Sequence, residues 1–285
     1  MSRSGAGVGR GVSVRALDLR DARAVAELVA EVAPEVVYHL AALSHVGRSW
    51  QEPGQALEVN VLGAASLLEA LRHGAPEARV VWVSSCEVYG PGHELPVSES
   101  AALKPASPYA VAKAAGEMLA RVYRDAHGLH VVCARPFNHA GPGQRPVFLV
   151  SSLAHQGASA RIAGQRQVRI VTGNPDTRRD FTDVRDVVDA YRRLAEPSVP
   201  VGVYNVSTGR SVSAAEQVAL LAELIAPIEV EHVVDPERVR AHEVMDVRGA
   251  PDLVAEATGW RPRIPLRQTI ADTIDWWERE LSAVV

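Results

Sequence analysis

Val81-Trp82-Val83-Ser84-Ser85-Cys86-Glu87-Val88-Tyr89-Gly90, followed beyond a Pro-containing loop by Ser107-Pro108-Tyr109-Ala110-Val111-Ala112-Lys113, is the stretch on which the reading of the whole chain turns. The apolar run at 81–83 predicts a buried strand. Ser107-Pro108 predicts a helix start, because a Pro in the first turn lacks only an N–H that would have had no partner there. Tyr109 and Lys113 are four apart, so on that helix they share one face. A hydroxyl at a strand end, with a phenol and an ammonium on a helix, makes a proton-transfer set for carbonyl and alcohol chemistry. Ser85 can hold a substrate oxygen and Tyr109 can give or take its proton. The Lys113 charge favours the phenolate, drawing the phenol down from about 10 towards working pH. A Tyr and a Lys four apart are common by themselves, and the pair gains meaning from what surrounds it.

The 285 residues are enough for one α/β unit with a small appended lobe and a substantial core. A hydrophobic content of 47% is that of an ordinary globular chain. The net charge of −4 and pI near 6.2 leave no basic footprint, so a nucleic-acid partner is not expected. No uninterrupted apolar run approaches the roughly 20 residues of a spanning helix, so no membrane partner is expected either. The two cysteines, Cys86 and Cys133, fit a reducing cytoplasm better than a disulfide framework. Arg3 and Arg10 stand near the start without an apolar stretch, and no secretory signal is read there.

Working outward, Gly5-Ala6-Gly7-Val8-Gly9-Arg10-Gly11 has alternating glycines on which G-x-G-x-x-G cannot be placed, since its third Gly falls on Arg10 or Val12. It reads as a flexible tail, with a phosphate loop as the alternative. Residues 12–17 alternate apolar and polar and predict a strand. Asp21 is placed to cap a helix over 22–32. Residues 35–42 predict a second strand running into small residues that let a ligand approach the backbone. His39 reads there as a packed strand-end residue rather than a metal ligand, for want of metal-spaced partners. Residues 55–72 predict one long helix whose apolar Ala56, Val59, Leu62, Leu67, Leu68 and Leu71 cover more than one face. Residues 129–134 predict a buried strand with 135–144 as its C-terminal loop. In doubly wound sheets ligands sit outside these carboxyl ends, so Ser85, Pro136 and Asn138 can converge. Asn138 reads equally well as a turn former. Helices over 146–156, 213–224 and 266–281 and strands over 203–209 and 228–233 complete the chain, the last helix carrying Trp276-Trp277.

The strand-Ser-Ser-x-x-Val-Tyr-Gly segment, the Tyr109/Lys113 pair and Ala134-Arg135-Pro136-Phe137-Asn138-His139-x-Gly141-Pro142-Gly143-Gln144 lie in an order that resembles the extended short-chain dehydrogenase/reductase family, in its nucleotide-sugar (epimerase/dehydratase) branch. The resemblance runs from about Val12 onward. It implies an α/β fold with a Rossmann-like parallel sheet, N-terminally truncated because no strand–Gly-rich turn–helix opens the chain, and a smaller C-terminal substrate lobe. The domain limits it implies are 1–11 for a tail, 12–145 plus 180–208 for the cofactor domain, 146–179 plus 209–265 for the substrate lobe and 266–285 for a closing helix. If the first strand of that fold is missing, the strand at 12–17 must fill its place or leave an edge open.

The resemblance further implies NAD(P)(H) as cofactor. Asp18 and Leu19 would lie against its adenine, and Leu40, Ala41 and Ala42 under its phosphates and ribose. Tyr109, Lys113 and the Pro136-Phe137 backbone would meet the nicotinamide end, and Asn60 and Ser84 would also be cofactor-binding. Ser44, Ser85, Asn138, Arg179 and Arg248 would meet the sugar nucleotide, the two arginines suiting a diphosphate. Arg179 has a surface ion pair with Asp180 or Asp183 as its alternative reading. The implied reaction is reduction of GDP-4-keto-6-deoxy-D-mannose to GDP-D-rhamnose, with Ser85, Tyr109 and Lys113 catalytic. The alternatives are a GDP-mannose 4,6-dehydratase, in which Glu87 would be the added carboxylate, a 4-epimerase, or a non-catalytic remnant or binding subunit. A homodimer through the helices at 55–72 and 108–127 is implied as well.

Overall fold

The computed structural model describes residues 11–239 and 244–283. Of the expected tail, only Gly11 falls within them. The chain divides into two compact units, Met1–Trp82 with Ser107–Val131 (unit 1) and Val83–Ala106 with Val132–Val285 (unit 2).

Unit 1 holds α1 (Ala22–Val32), β1 (Val36–His39), α2 (Val46–Gln51), α3 (Pro53–Leu57), a π-helical turn at Glu58–Leu62, α4 (Gly63–Gly74), β2 (Arg79–Val83) and α5 (Pro108–His127). Each start has a local cause. The Asp21 carboxylate accepts from Ala24 N–H at 3.0 Å, and the Ser107 hydroxyl accepts from Ala110 N–H at 3.1 Å ahead of Pro108. Helix α5 ends at Gly128, whose φ of +74° is the left-handed cap that Gly adopts without strain. Strands β1 and β2 run parallel with Val36 opposite Arg79 and His39 opposite Trp82. A parallel pair needs a long crossover, which α2 to α4 supply. Helix α1 packs on α4 through Val25 and Val29, a burial of about 1.5–3 kcal/mol for each such side chain.

Two expectations are corrected in unit 1. Residues 12–17 form no strand: Val12 and Val14 are 61% and 67% exposed, and the segment is tied to α1 by an exposed Arg15–Glu31 ion pair at 2.6 Å. Alternation makes a strand only where a neighbour offers a ladder, and β1 has β2 as its one strand neighbour among the described residues. Among the described residues no strand pairs with the other edge of β1, and Val36 and Tyr38 are each 41% exposed. The helix expected over 55–72 is not one α-helix. It is α3, a π turn and α4 in succession, and the extra residue rotates the apolar stripe so that Leu67, Leu68 and Leu71 are buried while Leu62 is 61% exposed.

Unit 2 carries the 3₁₀ turn Cys86–Val88, then β3 (His130–Pro136), β4 (Asn138–Ala140), α6 (Leu149–Ile162), β5 (Gln167–Thr172), β6 (Arg178–Arg179), β7 (Phe181–Asp183) and α7 (Val184–Leu194). It continues with β8 (Val203–Val206), β9 (Val212–Ser213), α8 (Ala214–Ile225), β10 (Glu229–Val234), β11 (Asp246–Val247), α9 (Asp252–Thr258) and α10 (Leu266–Ser282). The pairs β3–β8, β4–β7, β5–β10 and β6–β11 are all parallel, with helices as crossovers. The α/β class with parallel strands expected from the sequence is what is found. Helix α6 starts at Leu149 rather than 146, since Pro146 falls in the preceding turn. Its core partners are α8 and α10, through Leu153, Ala154, Leu221, Ile225, Ile270 and Ile274, with Trp277 of the closing helix packed on the same cluster.

Candidate active site

In unit 1 the site grows from the N-terminus of α5. Ser107 and Pro108 set the first turn, and Tyr109 N–H donates to the Ser49 hydroxyl of α2 at 3.1 Å. That hydroxyl donates onward to Val46 O at 2.7 Å, so α2 is pinned to the turn that presents Tyr109. Tyr109 and Lys113 are both 8% exposed on one face of α5. Lys113 lines a cleft with His39, Ala41, Ala42, Asn60, Trp82, Ala112 and Gly116. Its walls are small by construction, because a Cβ on Gly116 would stand 3.1 Å from Asn60 O and 3.3 Å from the Trp82 ring.

Asn60 sits in the π turn and clamps the segment after β1. Its Oδ1 accepts from Leu43 N–H at 2.7 Å and its Nδ2 donates to Leu43 O at 3.2 Å. His39 packs its ring on Trp82 with centroids 4.3 Å apart. Burial, helped by the Lys113 charge, pulls its pKa down to about 4, so it is neutral at working pH. Leu40 and Ala41 are exposed, Ala42 is half-buried, and Ser44 is exposed in the loop that follows. Asp18 is exposed and ion-paired with Arg20 at 2.6 Å. Leu19 is half-buried against Gly63, where a Cβ would approach its side chain to 2.9 Å.

In unit 2 the chain after β2 turns at once into the 3₁₀ helix. Ser84 is held by its N–H to Ala134 O at 2.8 Å, and its buried hydroxyl has no hydrogen-bond partner among the described residues. Ser85, 8% exposed, caps the 3₁₀ turn by accepting from Glu87 N–H at 3.2 Å, and the Glu87 side chain is exposed. Burial pushes the Cys86 thiol far up, so it is an inert packing group beside Tyr89, Val97 and Phe137. Pro136 ends β3, and the Phe137 ring is core rather than ligand surface, leaving only its backbone for a ligand. Asn138 is half-buried in β4 opposite Phe181.

Arg179 does not pair with Asp180 or Asp183. It donates to Val244 O and Arg178 O, each at 2.8 Å. Asp183 is occupied by Arg185 and Thr269, at 2.8 and 2.7 Å. Asp180 accepts from Thr208 N–H, Thr208 Oγ1, Gly209 N–H and Gly249 N–H at 2.6 to 3.3 Å. Arg248 is half-buried, its Nε 4.0 Å from Asp246 and without a hydrogen-bond partner among the described residues. Of the sequence candidates, Ala41, Ala42, Asn60 and Lys113 are thus gathered at one cleft. Sequence reasoning passed over Trp82 and Gly116 as cleft walls and Asn205 as a hydrogen-bonding centre, for which no local signal exists.

A sequence profile of the family described as GDP-mannose 4,6 dehydratase matches residues 4–273. The chain is 38% identical to the GDP-6-deoxy-D-mannose reductase of Pseudomonas aeruginosa over 92% of its own length and 86% of that protein's. It is 35% identical to the UDP-glucose 4-epimerase of Mycolicibacterium smegmatis, over 89% and 79% respectively. Among solved structures, that of RMD from Pseudomonas aeruginosa complexed with NADPH superposes with a TM-score of 0.85 at 35% identity, covering 93% of this chain and 88% of the other.

Proposed function

We propose that this chain, which belongs to the GDP-mannose 4,6-dehydratase family of the extended short-chain dehydrogenases/reductases, is an NAD(P)H-dependent reductase of a nucleotide-linked 4-keto-6-deoxy sugar, with GDP-4-keto-6-deoxy-D-mannose as substrate and GDP-D-rhamnose as product. The observation that carries the reading is the buried Tyr109/Lys113 pair on one face of α5, with Lys113 in a cleft of small side chains. In this reading the cleft faces the ribose and nicotinamide end of the dinucleotide, with Ala41, Ala42, Ala112 and Gly116 leaving the backbone approachable and Asn60 and Lys113 supplying polar contacts. The NADPH complex of the Pseudomonas relative supports the cofactor assignment. When bound, the dinucleotide supplies the hydride.

Everything else falls to the chain's own groups. Tyr109 protonates the alkoxide that forms at C4, and the Lys113 charge keeps the phenol ready to release that proton. Ser85 donates to the same oxygen and stabilises its developing charge. Neutral His39 leaves Lys113 as the positive charge at the cleft. Arg179 and Arg248 take the diphosphate in this reading, with Asn138 and Ser44 beside the sugar nucleotide. A homodimer is part of the proposal, because α5 exposes Val111, Met118 and Val122 and the preceding helices expose Leu57 and Leu62.

The test is NADPH titration by cofactor fluorescence followed by turnover with GDP-4-keto-6-deoxy-D-mannose. Saturable micromolar binding and turnover are expected, with kcat lowered by about 10²–10⁴-fold in Tyr109→Phe. Turnover of GDP-mannose in place of the keto sugar would instead assign Glu87 the dehydratase's added carboxylate. A folded chain that binds no cofactor at millimolar concentration would sink the reading.

A further inference from the structure

Unit 2 contains a buried hydrogen-bonded chain that no catalytic step above uses. The 3₁₀ turn begins at Ser85 and closes at Tyr89, so whatever holds Tyr89 holds the far end of the turn that presents the Ser85 hydroxyl. The Tyr89 phenol accepts from Arg135 Nη1 at 2.9 Å and donates to Asn205 Oδ1 at 2.7 Å. The Arg135 guanidinium also lies 4.8 Å from the Tyr89 ring centre. Burial keeps this phenol protonated, its pKa pushed up to about 12, so the donor is present at any working pH.

Asn205, fully buried in β8, has a second arm. Its Nδ2 donates to Val97 O at 2.9 Å, while its backbone N–H donates to Glu99 Oε1 at 2.8 Å. Val97 in turn grips the segment that carries Arg248. Val97 N–H donates to Arg248 O, and Ala250 N–H donates to Val97 O, each at 2.9 Å. Gly249 lies between them against Phe137, where a Cβ would come within 2.3 Å of the ring. The orientation of the Asn205 amide is forced: the phenol that receives Arg135 must give its own proton to an oxygen, and a carbonyl must face the NH₂. An ionised Asp offers no donor to Val97, and Leu offers neither group.

We propose that Asn205 is a positioning residue that ties the Ser85 turn, through Tyr89, to the Arg248 segment, through Val97, so that one amide sets both substrate-facing side chains. The functional part of this inference rests on the substrate roles assigned to Ser85 and Arg248 above; the tie itself does not. The experiment is hydrogen–deuterium exchange on the full chain, read on peptides covering 85–89 and 248–250, in the wild type, Asn205→Asp and Tyr89→Phe. Tyr89→Phe keeps the ring in its place and serves even where Asn205→Asp does not fold. In both variants exchange should quicken about fivefold in both segments, the scale of one net hydrogen bond.

Kinetics add a readout that a purely structural role would leave still. In Asn205→Asp the KM for the keto sugar should rise and kcat fall, in Tyr89→Phe kcat should fall first, and NADPH affinity should stay the same in both. Exchange at 248–250 unchanged in both variants would overturn the tie, and a lower melting temperature with kcat and KM unaltered would overturn the positioning role. A wild type that reduces no keto sugar would refute the proposed function, and the exchange arm would still decide whether Asn205 joins the two segments.

Discussion

Unit 1 leaves large apolar side chains outside, whereas unit 2 holds most of the buried carboxylates. Exposed are Val12, Val14 and Leu17 ahead of α1, Val36, Tyr38 and Leu40 in and just after β1, and on the helices Trp50, Leu57, Leu62, Val111, Met118 and Val122. Unit 2 is the longer, yet exposes fewer among the described residues; both units bury charge, Arg79, Lys113 and Glu117 in unit 1 and Arg135, Asp180, Asp183 and Asp186 in unit 2, the last four with hydrogen-bond partners at 2.6 to 2.9 Å. The difference teaches that the two units specify structure by different means. In unit 1 apolar faces are set by helix geometry and small residues, and are free to meet another surface. In unit 2 position is fixed by directional bonds, which tolerate only one arrangement.

The comparison is broken most directly at Gly249. A Gly249→Val change places atoms inside the Phe137 ring position and should cost about 3 kcal/mol of stability, measured by urea denaturation, as overpacking of a rigid site does. A loss below about 1 kcal/mol would show that unit 2 is as adaptable as unit 1.

Next in size comes acid. His39 takes a proton in the unfolded chain as pH falls through about 6.5 but in the folded chain only near 4. Stability therefore falls as pH drops between those values, by about 2 kcal/mol from pH 7 to pH 5. In His39→Gln that increment should vanish, so the difference between the two denaturation series isolates it. Equal acid sensitivity in both would mean that the histidine is not held neutral.

The smallest effect should come from the cap of α5. Ser107→Ala removes the acceptor for Ala110 N–H and should cost about 1 kcal/mol, with Tyr109 still pinned through Ser49. If activity instead collapses while stability barely moves, Ser107 does more than start a helix.

What could be read without coordinates were features whose causes lie within a few residues. Asp21 before 22–32, Ser107-Pro108 before α5 and Ser213 before α8, where Ser213 and Glu216 form a reciprocal capping box, all mark helices that are present. The Tyr109/Lys113 face follows from helical spacing alone. The parallel α/β class came with the resemblance of the motifs around Ser85, Tyr109 and Lys113 to the extended short-chain dehydrogenases/reductases.

Tertiary structure decided whatever depends on a distant partner. Residues 12–17 have the alternation of a strand but no ladder to join among the described residues, and so remain irregular and exposed. The π turn at Glu58–Leu62 re-aims Asn60 towards Leu43, which no hydrophobic period encodes. Arg179 bonds to a carbonyl 65 residues away rather than to the aspartates beside it. Tyr89 meets Asn205 across 116 positions. Caps and periodicity act through neighbours along the chain, so they are legible in order of residues; strand pairing and buried hydrogen bonds are chosen by which segments fold against each other, and that choice is made only in three dimensions.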